Sequence, residues 1–271
     1  MVDFIRKDKY NIEDLLCIME LLRGPGGCPW DAEQTHESIR KDFIEETYEV
    51  IEAINKNDKE LLKEELGDVL LQVAFHAQIE KETESFDFSD VCDGICKKLI
   101  ERHPHVFGDI SVSSTDEVLS NWDTIKRKSK GQKTQGSSML KVPKELPALM
   151  RAQKIQSKAK KAGFDWDNID GAFEALYSEL DELKSAIKSG NTDEIKSEMG
   201  DLLFSCVNVS RFLDVESEEA LTLSNEKFIS RYVLVERMAE ERRIDMKNTP
   251  IEELDELWKE AKTIILGSNR E

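Results

Sequence analysis

The stretch KDFIEETYEVIEAINKNDKELLKEELGDVLLQ, residues 41–72, decides how the rest of the chain is read. It carries Glu46 and Glu49, then Glu65 and Asp68, and the members of each pair stand three residues apart. Residues three apart share a helix face, so each pair presents two carboxylates side by side. Asn57 is the midpoint of Glu49 and Glu65 and also of Glu46 and Asp68, and it lies in NKND, the best turn signal of the region. A chain reversal there makes an antiparallel helix pair with its four carboxylates at matching heights. Such a concentration of negative charge calls for a cation.

A shift of 133 residues reproduces the motif without a gap. Glu46, Glu49, Glu65 and Asp68 fall on Glu179, Glu182, Glu198 and Asp201, and ELGDVLL at 65–71 falls on EMGDLLF at 198–204. The apex Asn57 falls on Gly190, another turn residue. Apolar positions follow, Phe43 onto Leu176 and Ile54 onto Ile187, and GCPWD at 27–31 recurs loosely as GFDWD at 163–167. This is a tandem duplication. Other acids drift: Glu45 becomes Ser178, Glu52 becomes Ser185 and Glu64 becomes Ser197. Solubility alone does not demand register, so the retained quartet in each copy is the candidate metal site. Gly67 and Gly200, inside the helices beside these acids, serve either close helix packing or room for a ligand.

Helical periodicity dominates the remainder and predicts an all-α chain. Helices are expected over Asn11–Arg23, Thr35–Lys56, Asp58–Glu82, Ser89 to the HisPro at 103–104, and Ser114–Lys128. They resume over Leu146–Ala162, Ile169–Ser189, Thr192–Leu213, Ser217–Glu241 and Ile251–Leu266. GPGGCPWD reads as a loop, and the polar stretch 126–147 as an interdomain linker. The expected organisation is an N-terminal module over 1–128, a linker over 129–145 and a C-terminal module over 146–271.

The formal charge of −18 argues against nucleic-acid or membrane-surface binding. No apolar run approaches the ~20 residues of a membrane helix, and the N-terminal residues lack a secretory signal pattern. Five cysteines, odd in number and without a CxxC pair, read as reduced, mostly buried thiols of a cytoplasmic protein.

Oxygen-only ligands suit magnesium or manganese over zinc. Four carboxylates exceed one magnesium's usual share, which leaves room for a second metal or for an acid acting as base. The ExxH pair of Glu33 and His36 has no counterpart in the second copy, which argues against a di-iron bundle. Lys98 and Arg102 are four apart downstream of the first hairpin, and Lys227 and Arg231 downstream of the second. Each pair reads either as surface charge or as a phosphate contact. Trp258 reads either as core or as a stacking platform for a base.

EETYE at 45–49 with ELGD at 65–68 resembles the EExxE…ExxD signature of MazG-type nucleoside triphosphate pyrophosphohydrolases. These belong to the all-α pyrophosphatase superfamily, together with dimeric dUTPases. GCPWD, RHPHVF, LPALMRAQK, GFDW, EMGDLLF and NEKF are similar to landmarks of the two-domain members, so the resemblance spans nearly the whole chain. It implies tandem helical modules, each contributing to a four-helix-bundle-like architecture, in a homodimer. It also implies magnesium-dependent hydrolysis of nucleoside triphosphates to monophosphate and pyrophosphate, in the service of clearing unwanted nucleotides. On the family pattern Glu179, Glu182, Glu198 and Asp201 bind metal, Lys227 and Arg231 contact the triphosphate, and Trp258 contacts the nucleotide. Glu46, Glu49, Glu65 and Asp68 are the N-terminal equivalents, Glu45 completes the signature, and Arg102 matches a basic position of the RHPH motif. Ser178 replaces the signature's first Glu in the second copy, which weakens that site if the Glu orients water. The Lys/Arg/Trp set favours the second copy. A regulatory nucleotide-binding module and a helical interaction protein are the rival classes.

Overall fold

The structure, a computed structural model, describes residues 4–268 apart from 116, 119, 120, 123 and 126–134. Among the described residues every regular element is a helix, with no strand, and the chain forms two compact units, Met1–Ser129 and Lys130–Glu271.

In the first unit α1 (Ile12–Arg23), α2 (Pro29–Glu33), α3 (His36–Lys56), α4 (Lys59–Glu82), α5 (Phe88–Arg102) and α6 (Pro104–Phe107) follow one another. The starts are set by side chains that satisfy the otherwise orphaned first-turn N–H groups. Asn11 and Asp14 form a capping box on α1, Thr35 and Ser38 do so on α3, and the Asp58 carboxylate accepts from the N–H groups of Glu60 and Leu61 on α4. Asn57 reverses the chain between α3 and α4 in the left-handed conformation, φ 52°. That is the apex the acid spacing predicts. Met19, Ile39, Ala74 and Phe75 bury the contact of α1, α3 and α4, with Leu15, Leu71 and Ile79 around them. GPGGCPWD is only partly loop, because Pro29 pre-sets the first turn of α2.

Beside this core, His36 Nε2 lies 2.7 Å from Glu80 Oε1, and His36 Nδ1 lies 2.6 Å from His76 Nδ1. The carboxylate needs the His36 proton on Nε2, so His36 Nδ1 accepts and His76 Nδ1–H donates. Protonating both rings would set N–H against N–H. Burial, then the neighbouring His36, holds the His76 pKa below the ordinary histidine value, and the bond to His36 holds Glu80 below the ordinary carboxylate value. Both shifts are depressions, so the stability they supply is present above the unfolded-state values and is lost as pH falls through the folded ones. Urea unfolding followed from about pH 7 to about pH 5 should therefore show a loss in the parent chain that His76→Leu largely removes. Equal losses in the two would contradict this.

The second unit holds α7 (Gln135–Met139), α8 (Ala148–Lys161), α9 (Ile169–Ser189), α10 (Thr192–Phe212), α11 (Ser217–Arg242) and α12 (Ile251–Ser268). Gly190 reverses α9 into α10 at φ 72°. Val235, Met238, Ala239, Leu257 and Ala261 seal α11 against α12. α8 ties the unit together through polar side chains: Gln156 Nε2 donates to the Phe204 carbonyl at 2.8 Å, and Gln153 Nε2 to the Val215 carbonyl at 3.0 Å. Arg211 forks onto Asp165, at 3.0 Å and 2.5 Å, with only 7% of its side chain exposed. Removing one partner of such a pair strands a buried charge, so Asp165→Ala should cost about 3–5 kcal/mol in urea unfolding. A cost below about 1 kcal/mol, the level of a surface ion pair, would contradict it.

Two expectations need amendment, and a third falls partly outside the described residues. The stretch read as a polar linker contributes α7, which packs on α8, and Ser138 and Val142 are buried there. The cysteines are not mostly buried: Cys17, Cys92, Cys96 and Cys206 are exposed and Cys28 is half-buried. The four exposed cysteines lie on α1, α5 and α10, on faces left open among the described residues of their own units. The helix expected over Ser114–Lys128 lies partly outside the described residues, although 115, 117, 118, 121, 122, 124 and 125 are helical. Among the described residues no helix is long and apolar enough to cross a membrane.

Candidate active site

The α3–α4 hairpin brings Glu46, Glu49 and Glu65 together, with one carboxylate oxygen of each within 4.8 Å of the others. The α9–α10 hairpin does the same with Glu179, Glu182 and Glu198. Glu65 is buried at 9% exposure, Glu49 is exposed and Glu46 lies between. Burial, then the charges of Asp68 and the neighbouring glutamates, pushes the Glu46 pKa above the ordinary carboxylate value. Glu65 is raised by burial, then by Glu49, and Glu179 by burial, then by Glu182 and Asp201. Asp68 and Asp201 stand outside the tight triads and act on them through charge.

Two acidic triads with only oxygen donors, strained by their own repulsion, fit a hard divalent cation. A Cβ at Gly67 or Gly200 would meet nothing within 4 Å, so neither glycine is there for close packing inside its unit. An open groove of about 450 Å³ runs along the second hairpin past Glu182, Glu198, Ser178, Ser185 and Glu194. Ser178 Oγ donates to Glu182 Oε1 at 3.0 Å, so the residue that departs from the signature orients a member of the triad. Its counterpart Glu45 is exposed and lies outside the first triad.

The cations are not gathered with the acids. α5 touches α4 but not α3, and α11 touches α10 but not α9, so each basic helix meets only one arm of its acid hairpin. Lys98 and Lys227 are exposed. The Arg231 guanidinium sits 5.8 Å from the ring centre of Trp258, which Phe228 flanks at 5.0 Å. Phe228 in turn stacks with Tyr232 at 6.2 Å. Arg102 is buried and sits 5.0 Å over Trp122, which the sequence reading passed over. The shared spacing of WDTIK at 122–126 and WKEAK at 258–262, Trp-x-x-x-Lys, was the available signal.

Fold and site together define a tandem all-α protein with one acidic, cation-ready hairpin in each unit. The MazG nucleotide pyrophosphohydrolase domain matches residues 34–107 and 170–235, the two hairpins and the helices after them. The chain is 45% identical over 255 residues to the nucleoside triphosphate pyrophosphohydrolase of Escherichia coli K12, covering 93% of this chain and 97% of that protein. It is 46% identical over 250 residues to the nucleoside triphosphate pyrophosphohydrolase/pyrophosphatase MazG of Thermotoga maritima, covering 92% and 95%. An uncharacterised Bacillus subtilis protein, YabN, is 46% identical over 247 residues, which is 90% of this chain and 50% of YabN. The chain belongs to the MazG nucleotide pyrophosphohydrolase family.

Proposed function

We propose that this chain is a magnesium-dependent nucleoside triphosphate pyrophosphohydrolase, releasing nucleoside monophosphate and pyrophosphate, which clears unwanted nucleotides in the cytoplasm as a homodimer. The observation that carries the reading is the paired triad, Glu46/Glu49/Glu65 and Glu179/Glu182/Glu198, built at equal heights on two hairpins. The names of the Escherichia coli and Thermotoga relatives supply the reaction. The free cysteines suit a reducing compartment.

The triads, with Asp68 and Asp201 beside them, would hold magnesium, or manganese in its place. When bound, the cation offsets the triphosphate's charge and polarises the phosphoryl group. Lys227 and Arg231 hold the phosphates, and Trp258 with Phe228 faces the base. A carboxylate of the quartet left free takes the proton of the attacking water. The water oxygen bonds to the α-phosphorus, the bridging bond to the β-phosphate breaks, and pyrophosphate leaves. The aromatic group around Trp258 makes the second unit the principal catalyst, with Ser178 steadying Glu182.

Uncovered apolar surface that recurs in both copies supports the homodimer. Ile44, Ile54, Leu66 and Leu70 are exposed in the first hairpin, and Tyr177, Ile187, Met199 and Leu203 at the same positions in the second. Soluble surfaces rarely leave such stripes bare. A second copy that covers each hairpin with its own basic helix would unite acids with cations that stay apart within one chain.

Hydrolysis in ¹⁸O-labelled water tests the point of attack. Label should appear in the monophosphate, and label in pyrophosphate would overturn attack at the α-phosphorus.

A further inference from the structure

We propose that the first unit holds a second nucleotide site, in which Arg102 takes a phosphate and Trp122 a base of a nucleoside triphosphate. This rests on the reading of the chain as a nucleotide hydrolase and adds a residue and a site to it.

Arg102 is only 9% exposed, and its Nε is buried without a hydrogen-bond partner. Its guanidinium makes no ion pair among the described residues and rests 5.0 Å over the Trp122 ring. The other deeply buried arginines behave differently. Arg23 donates to Glu82 and to the Asp31 and Gln34 carbonyls, and Arg211 to Asp165 and Asn208. Those two arginines are saturated by oxygen atoms, whereas the half-buried Arg151 shares with Arg102 a buried Nε without a partner. A buried guanidinium without an anion is costly, and that cost is removed when a phosphate arrives with its own charge.

The duplication supplies a separate argument. Arg231 over Trp258 is the same pair in the second unit. The two pairs are not copied by simple register, because 20 residues separate Arg102 from Trp122 and 27 separate Arg231 from Trp258. Packing alone gives no reason to rebuild one Arg-on-Trp contact from two different spacings. The sites differ in aromatic content, since Leu99 and His103 stand where Phe228 and Tyr232 stand in KFISRY. The loss of the phenylalanine and tyrosine rings beside the arginine makes the first site the weaker.

Calorimetric titration of the full chain with α,β-methylene-ATP and magnesium tests this, with turnover of ATP measured alongside. The parent chain should show two binding events per chain. Trp122→Ala should weaken the weaker event about tenfold. Trp122→Phe, which keeps a ring, should retain most of the affinity. A single event in the parent, or equal losses in the Ala and Phe variants, overturns the second site. Two events without any turnover would overturn the hydrolase reading and leave the Arg102–Trp122 site standing.

Discussion

Glu182→Gln should lower turnover of a nucleoside triphosphate at saturating magnesium by at least about a hundredfold, while Glu49→Gln lowers it several-fold at most. Each residue supplies one of three carboxylate oxygens lying within 4.8 Å of one another, so each change removes a charge from a triad that could hold a cation. The asymmetry comes from the surroundings. Phe228, Tyr232 and Trp258 cluster beside Arg231 in the second unit, whereas in the first unit Leu99 and His103 stand where Phe228 and Tyr232 stand. The amide keeps the size of the side chain, and both positions are exposed, so the fold is not at issue. Chromatographic rates of the two single variants measure the ranking. Equal losses would mean two working sites, and the reverse order would move the chemistry to the first unit.

Glu65→Gln combined with Glu198→Gln should raise the melting temperature in chelator and abolish the further rise that magnesium produces in the parent. The folded-state pKa values of Glu46, Glu65 and Glu179 are raised. For an acid, a raised folded value means that the folded state holds the proton more tightly than the unfolded chain does. Stability therefore falls as pH climbs through the window from the ordinary carboxylate value to the raised one, and above that window the cost is complete. Neutral amides remove part of that repulsion. A cation bound by the parent would offset it, by about 2.7 kcal/mol at a hundredfold excess over the dissociation constant. Calorimetric scans with chelator and with magnesium provide the comparison. A double variant that melts lower in chelator, or still responds fully to magnesium, would show that the triads are solvated acids without a cation.

The hairpins were readable from the sequence because register carries them. Two carboxylate pairs centred on Asn57 require a reversal there, and Asn57 takes the left-handed conformation that ends α3. The offset of 133 residues then places Gly190 at the second reversal, again left-handed. Long-range pairings carried no such periodic signal. His36 and His76 lie 40 residues apart and meet only because α3 and α4 fold onto each other. Trp122 escaped notice because its spacing from Arg102 differs from that of the second pair. The cysteines were misjudged for another reason. Cys92 and Cys96 lie on α5, where Val91, Ile95 and Leu99 are exposed as well, so apolar character there marks a face left bare within the chain.

The most direct test of the reaction is the product set. Purified chain, magnesium and a nucleoside triphosphate should yield monophosphate and pyrophosphate in equal amounts, resolved by phosphorus NMR. Orthophosphate released with a nucleoside diphosphate would contradict the account.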